Sequence, residues 1–290
     1  MHLRHRVSIV TLILLLLLPF RAHAGALEDA LALYQQKRYP EARLALEKIT
    51  ASEPTNAAAC HYLGMTLRQR ADDRAIEDAL PWLAKATELA PKNATYLTLF
   101  GITSMQTAGK TRSVSAATRG RDAVIRAIEF EPDNLDAREA LLQFYVSAPW
   151  PIGSRTKAKE QAEAIAQRNP TRGLFARVQL KTTEKKYDEA IVLCEKSLEQ
   201  NPDFYPALAE LGRLTVASGT KLERGLAALR RCLQLEPTLG QATHSLIHYR
   251  IGTLHLKLSD KTAARAAFTA ALQLDPKLKR AADALAKLDS

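Results

Sequence analysis

The stretch YRIGTLHLKLSDKTAARAAFTAALQLDP, Tyr249 to Pro276, decides the fold. Its second half sets Ala264, Phe268 and Ala271 at offsets of four and three, which puts them on one face of a helix. Pro276 closes that helix, because proline offers no N–H. The first half carries Ile251-Gly252 inside a second helical pattern. A mid-helix glycine costs about 1 kcal/mol against alanine, so it needs a packing reason, and close approach of a neighbouring helix supplies one. The stretch therefore describes two helices that touch through small residues.

The same arrangement recurs outward along the chain. Prolines that end helical patterns stand at Pro54, Pro91, Pro132, Pro170, Pro202, Pro237 and Pro276, spaced by 37, 41, 38, 32, 35 and 39 residues. Twelve residues before each lies Ala42, Ala79, Gly120, Ala158, Ala190, Gly225 or Ala264, all Ala or Gly. Eight before stand Leu46, Leu83, Val124, Ala162, Cys194, Leu229 and Phe268, and five before stand Ile49, Ala86, Ala127, Ile165, Ser197, Cys232 and Ala271. A Cβ-sized group in the first column lets a partner helix cross closely, as ridges-into-grooves packing requires. The preceding helices repeat the apolar-Gly pair at Leu63-Gly64, Phe100-Gly101, Leu211-Gly212 and Ile251-Gly252. Self-similarity at such a period signals a repeat architecture.

These residues resemble the tetratricopeptide repeat family, most fully from Tyr249 through Pro276. The segments Arg38-Tyr39-Pro40-Glu41-Ala42 and Lys185-Lys186-Tyr187-Asp188-Glu189-Ala190 look like the family's turn into its second helix. Asp29-Ala30 and Leu141-Leu142 depart from the apolar-Gly pair, and the first helix of the unit from Thr171 to Pro202 has an ambiguous register. The resemblance implies an all-α, right-handed superhelical solenoid of about seven helix-turn-helix units over 25–276, ending near 54, 91, 132, 170, 202, 237 and 276. Residues 277–290 read as a capping helix, with Leu278, Ala282, Leu285 and Leu288 on its covered side.

Residues 1–24 read as a secretory signal peptide: Arg4 and Arg6, a largely apolar run from Val7 to Leu18, then Ala22-His23-Ala24. The run is shorter than the roughly 18 to 20 residues that span a bilayer. Cleavage before Gly25 by the general secretory route is expected, with a retained anchor as the alternative because Arg21 lies close to the cut. The destination is the periplasm or the extracellular space, and the cleaved product is not an integral membrane protein. Losing Arg4, Arg6 and Arg21 from 41 basic side chains leaves 38 against 31 acidic, a net charge of +7. Nucleic acid is rarely met outside the cell, so an anionic envelope component or an acidic protein surface is the expected counterpart.

Signatures of catalysis are missing. No His-Glu-x-x-His, Gly-x-Ser-x-Gly or paired-Cys motif occurs, and Gly109-Lys110-Thr111 lacks the earlier glycine of a phosphate loop, Ser104 standing there instead. His244, His248 and His255 share a helical face but no carboxylate joins them, so they read as packing residues and no metal or cofactor is expected. Cys60, Cys194 and Cys232 read as small core residues, a Cys194–Cys232 bridge being the alternative in an oxidising compartment.

The expected function is a non-enzymatic scaffold that binds a protein or peptide partner. Family resemblance puts His61, Met65, Arg68, Gln69, Gln106, Glu139, Gln143, Arg213, Tyr249, Thr253 and Lys257 along an inner groove. The family's carboxylate clamp of two asparagines and several lysines is absent. Two long connections, Thr107 to Asp122 and Ser147 to Lys159, are expected to adjoin in a cationic patch of Lys110, Arg112, Arg119, Arg121, Arg155 and Lys157 around Trp150. A binding protein for an anionic glycan or lipid headgroup, acting through that patch, is the alternative.

Overall fold

A computed structural model describes residues 25–149, 151–237 and 241–289. The leader reading of 1–24 and the placement of Trp150 lie outside the described residues. Helix α1 spans 25–35. It is followed by α2 (Tyr39–Ser52), α3 (Ala57–Leu67), α4 (Ala75–Leu89), α5 (Ala94–Thr111), α6 (Val114–Phe130) and α7 (Leu135–Ser147). Next come α8 (Arg155–Arg168), α9 (Pro170–Thr183), α10 (Tyr187–Gln200), α11 (Tyr205–Ser218) and α12 (Leu222–Cys232). The chain finishes with α13 (His244–Lys257), α14 (Lys261–Leu274) and α15 (Lys279–Asp289). Among the described residues every regular element is helical, so the fold is all-α.

The chain divides into two compact units, one up to Phe144 and one from Tyr145. In the first, each helix from α2 to α5 packs on its successor, and Ala30, Leu46, Leu63, Ala79 and Leu83 form a core cluster. In the second, the same serial contact runs from α8 to α15, and α11 also touches α13. Its core holds Ile191, Cys194, Leu214, Leu229, Ile247 and Leu254.

Local chemistry sets the helix ends. After Pro54, Pro91 and Pro132 an asparagine follows two residues on, and its side chain caps the next helix. Asn56, Asn93 and Asn134 accept from Ala59 N, Tyr96 N and Ala137 N at 2.9, 3.0 and 2.9 Å. Such a cap satisfies one of the orphan N–H groups of a first turn. Pro170 behaves differently from the expectation that it ends a helix. Asn169 caps α8 at its C-terminus and α9 at its N-terminus, and Pro170 is the first residue of α9. Proline suits that position, since the N–H it lacks would be unpaired there. The single-residue turn accounts for the shortest interval between prolines.

The small-residue column does what its size implies. Ala42, Ala79, Ala158, Ala190 and Ala264 are fully buried, and Gly120 and Gly225 are buried with them. The glycines of the first helices face the next column. A Cβ on Gly64 would lie 2.6 Å from Leu83 Cδ2, and one on Gly252 would lie 2.5 Å from Phe268 Cε1. Gly212 faces Leu229 in the same way.

Two details of the sequence reading change. The terminal helix turns Ala281, fully buried, toward α14, while Ala282 is exposed. Leu278, Ala281, Leu285 and Leu288 thus make the covered stripe, at offsets of three, four and three. The stretch 107–122 is not a long connection, because α5 continues through Thr111 and α6 starts at Val114. Arg112, at φ 56°, and Ser113 make the whole turn, and Ser113 caps α6.

Candidate partner-binding faces

In the first unit, α1, α3 and α5 come from successive repeats and present one face. Arg68 Nη2 donates to Gln106 Oε1 at 3.0 Å, and Gln69 Nε2 donates to Tyr34 Oη at 3.4 Å. These bonds bridge residues one repeat apart, so Tyr34, Gln69, Arg68 and Gln106 form a continuous polar strip, with Met65 half-buried beside them. Burial pushes the Arg68 guanidinium down and the Tyr34 phenol up from their ordinary values. Tyr34 was not read as a site residue. Its signal lay in the one-repeat spacing to Gln69. Glu139, half-buried, and Gln143, exposed, lie on α7.

His61 is corrected. It is 3% exposed, so it does not line a groove. Its ring stacks on Tyr96 with centroids 4.3 Å apart and meets Tyr62 edge-on at 5.4 Å. Nδ1 has no hydrogen-bond partner, and burial lowers the imidazole to about pKa 4, which keeps it neutral at neutral pH. Repeat register alone puts this residue, two turns before Arg68, along the inner groove, but the packing of α3 on its neighbours turns it into the aromatic layer with Tyr62 and Tyr96.

In the second unit, Arg213 on α11 is held by Glu210, Nε to Oε2 at 2.8 Å. On α13, Tyr249 packs on Phe268 with centroids 5.9 Å apart, and Arg280 sits 5.7 Å from the Tyr249 ring. Thr253 Oγ1 donates to the Tyr249 carbonyl at 3.0 Å, and Lys257 is exposed. Arg250 ties α13 to α11, Nη1 donating to the Ala209 carbonyl at 3.0 Å, a contact without sequence-local signal. His244 leaves the shared histidine face: its Nε2 lies 2.8 Å from the Leu235 carbonyl, at the end of α12. His255 Nδ1 instead lies 3.5 Å from Asp260. Cys60, Cys194 and Cys232 are free and buried, and burial pushes the latter two thiols up to about 12.

The expected cationic loops are mostly helix. Lys110 ends α5 and its Nζ donates to the Asp73 carbonyl at 3.1 Å, while Arg119 and Arg121 belong to α6, Arg121 pairing with Asp122 at 2.7 Å. These residues fall in the first unit. In the second, α8 begins at Arg155, so Arg155, Lys157 and Lys159 stand on its first turns. Lys157 Nζ sits 5.6 Å from the Tyr145 ring centroid. A recess of about 510 Å³ opens beside them, lined by α8, α9, α10 and Val146.

A family model described as tetratricopeptide repeat matches residues 246–278, the α13/α14 pair. No curated protein sequence matches the chain. A tetratricopeptide repeat protein from Parabacteroides merdae superposes with a TM-score of 0.64 at 17% identity, covering 93% of this chain and 100% of its own. Yeast Tom70 gives 0.65 at 15% identity, over 87% of this chain and 51% of Tom70, so this chain spans about half its length. The C-terminal part of a repeat protein from Cytophaga hutchinsonii gives 0.52 at 17% identity, covering 89% and 99%. Identities this low show a shared fold.

Proposed function

We propose that the chain, whose α13/α14 pair matches the tetratricopeptide repeat model and whose fold is shared with proteins of that kind, is a non-catalytic scaffold that holds a segment of a protein partner against the polar faces of its first helices. The observation that carries this reading is the strip across α1, α3 and α5, joined by the Arg68–Gln106 and Gln69–Tyr34 bonds. Side chains that already bridge repeats offer an extended or helical segment a row of donors and acceptors at repeat spacing. The α11/α13 face, with Arg213, Thr253 and Lys257, offers a second stretch of the same kind.

The working location is the cell envelope or the exterior, from the leader-like residues 1–24. Among the described residues no helix is long and apolar enough to cross a membrane. The alternative, an anionic glycan or lipid reader, rested on two long basic loops, and the helical course of 107–122 removes one of them. Affinity capture from an envelope extract, comparing the chain with Gln69→Glu/Gln106→Glu, tests the reading. Recovery of a bound protein should fall at least fivefold in the variant, and an identical set of captured proteins at equal yield would overturn the α1/α3/α5 face.

A further inference from the structure

We infer that the recess of the second unit between α8 and α9 recognises an acidic, aliphatic segment of the protein partner, an inference that rests on the scaffold reading above. The recess is lined by Arg155, Lys159, Arg177 and Lys181 against the carboxylates of Glu163 and Glu184. Two of the cations are already engaged: Arg177 pairs with Glu163, and Lys181 Nζ lies 2.5 Å from Glu189. Arg177 holds Glu163 below the usual carboxylate range, and Lys186, 3.0 Å away, does the same for Glu184. Both carboxylates are therefore charged and internally used at neutral pH.

Among the described residues Arg155 and Lys159 make no direct ion pair; they act only at longer range, Arg155 on Glu184 and Lys159 on Glu163. They lie four residues apart on α8, so both side chains project from one helix face toward the same opening. Val146, Leu180 and Leu193 supply an aliphatic wall. A volume of about 510 Å³ holds a few side chains. None of the lining residues is aromatic, so a nucleobase would find no ring to stack on. What complements two cations without a direct ion pair beside aliphatic carbon is a carboxylate next to a branched alkyl group, as in alternating Glu and Leu.

The experiment measures fluorescence anisotropy of a labelled peptide of alternating Glu and Leu on the whole chain. Binding should weaken at least tenfold in Arg155→Glu/Lys159→Glu and stay within twofold in Lys48→Glu/Lys92→Glu, which carries the same charge change on exposed positions of the first unit. It should also weaken as salt rises, because exposed charges are screened. Unchanged circular dichroism and thermal midpoint confirm that each variant is folded. Equal binding by the α8 variant, equal binding of an alternating Lys and Leu peptide, or displacement of the peptide by phosphatidylglycerol vesicles would overturn the inference. If the peptide fails while capture still depends on Gln69 and Gln106, the recess assignment falls alone. If the peptide binds and capture is indifferent to those residues, the groove reading falls instead.

Discussion

The α5/α6 pair of the first unit and the α13/α14 pair of the second occupy equivalent places in the repeat, yet they close the gap between helices differently. In α13/α14 the small column holds Ala264, and the space opposite Gly252 is filled by the fully buried ring of Phe268. In α5/α6 both facing positions are glycine. A Cβ on Gly101 would lie 2.7 Å from the Gly120 carbonyl oxygen, and Val124 takes the place of the large side chain. Ser104 Oγ then reaches the Ala116 carbonyl at 2.8 Å across the contact. The closer the backbones, the smaller the side chain needed to fill the space. Packing density is conserved while its source shifts from side chain to main chain.

The largest effect should come from removing the ring. Phe268→Ala is expected to cost about 3 to 5 kcal/mol in guanidinium unfolding, because it leaves a buried cavity. Val124→Ala should cost less than half as much, and equal losses would break the comparison.

A second contrast is in pH. The folded value of His61, about 4, lies below its ordinary 6.5, so the unfolded chain takes up the proton first. Its contribution is complete above pH 6.5 and is lost as pH falls toward 4, on the order of 3 kcal/mol. His61→Phe keeps a ring against Tyr96 and should flatten that part of the stability profile between pH 6.5 and 4. A profile parallel to the wild type would show that His61 is not held neutral by burial.

Glycine replacements sharpen the difference further. Gly101→Ala should cost about 1 to 3 kcal/mol, and adding Val124→Ala should not restore it, because the new methyl still meets the Gly120 carbonyl. Gly252→Ala should be partly rescued by Phe268→Leu, since that clash is with a side chain that can be exchanged; a double-mutant cycle reads the coupling. The smallest effect concerns thiols. Cys60, Cys194 and Cys232 should resist Ellman's reagent at pH 8 in the native protein and react once it is denatured, because burial disfavours each thiolate. Rapid native labelling of one would identify the unit that opens first.

What the sequence determined by itself was everything governed by neighbours along the chain. A helix puts residues three and four apart on one face and proline refuses an N–H bond, so the small column and most of the second helices' ends were legible. Ala42 through Ala264 fell into the core because their spacing alone placed them there. Residue type at a repeat position was a weaker guide to orientation. His61 turned inward, Ala281 replaced Ala282, and the basic run 107–122 proved to be the end of one helix and the start of the next. Tertiary structure alone decided the bonds between repeats, Arg68 to Gln106 and Arg250 to Ala209, and the recess where Arg177 pairs with Glu163 while Arg155 and Lys159 are left without a direct ion pair. The reason is geometric: helix crossing angle and separation set which side chains from different helices meet, and neither is written in the spacing of any one helix.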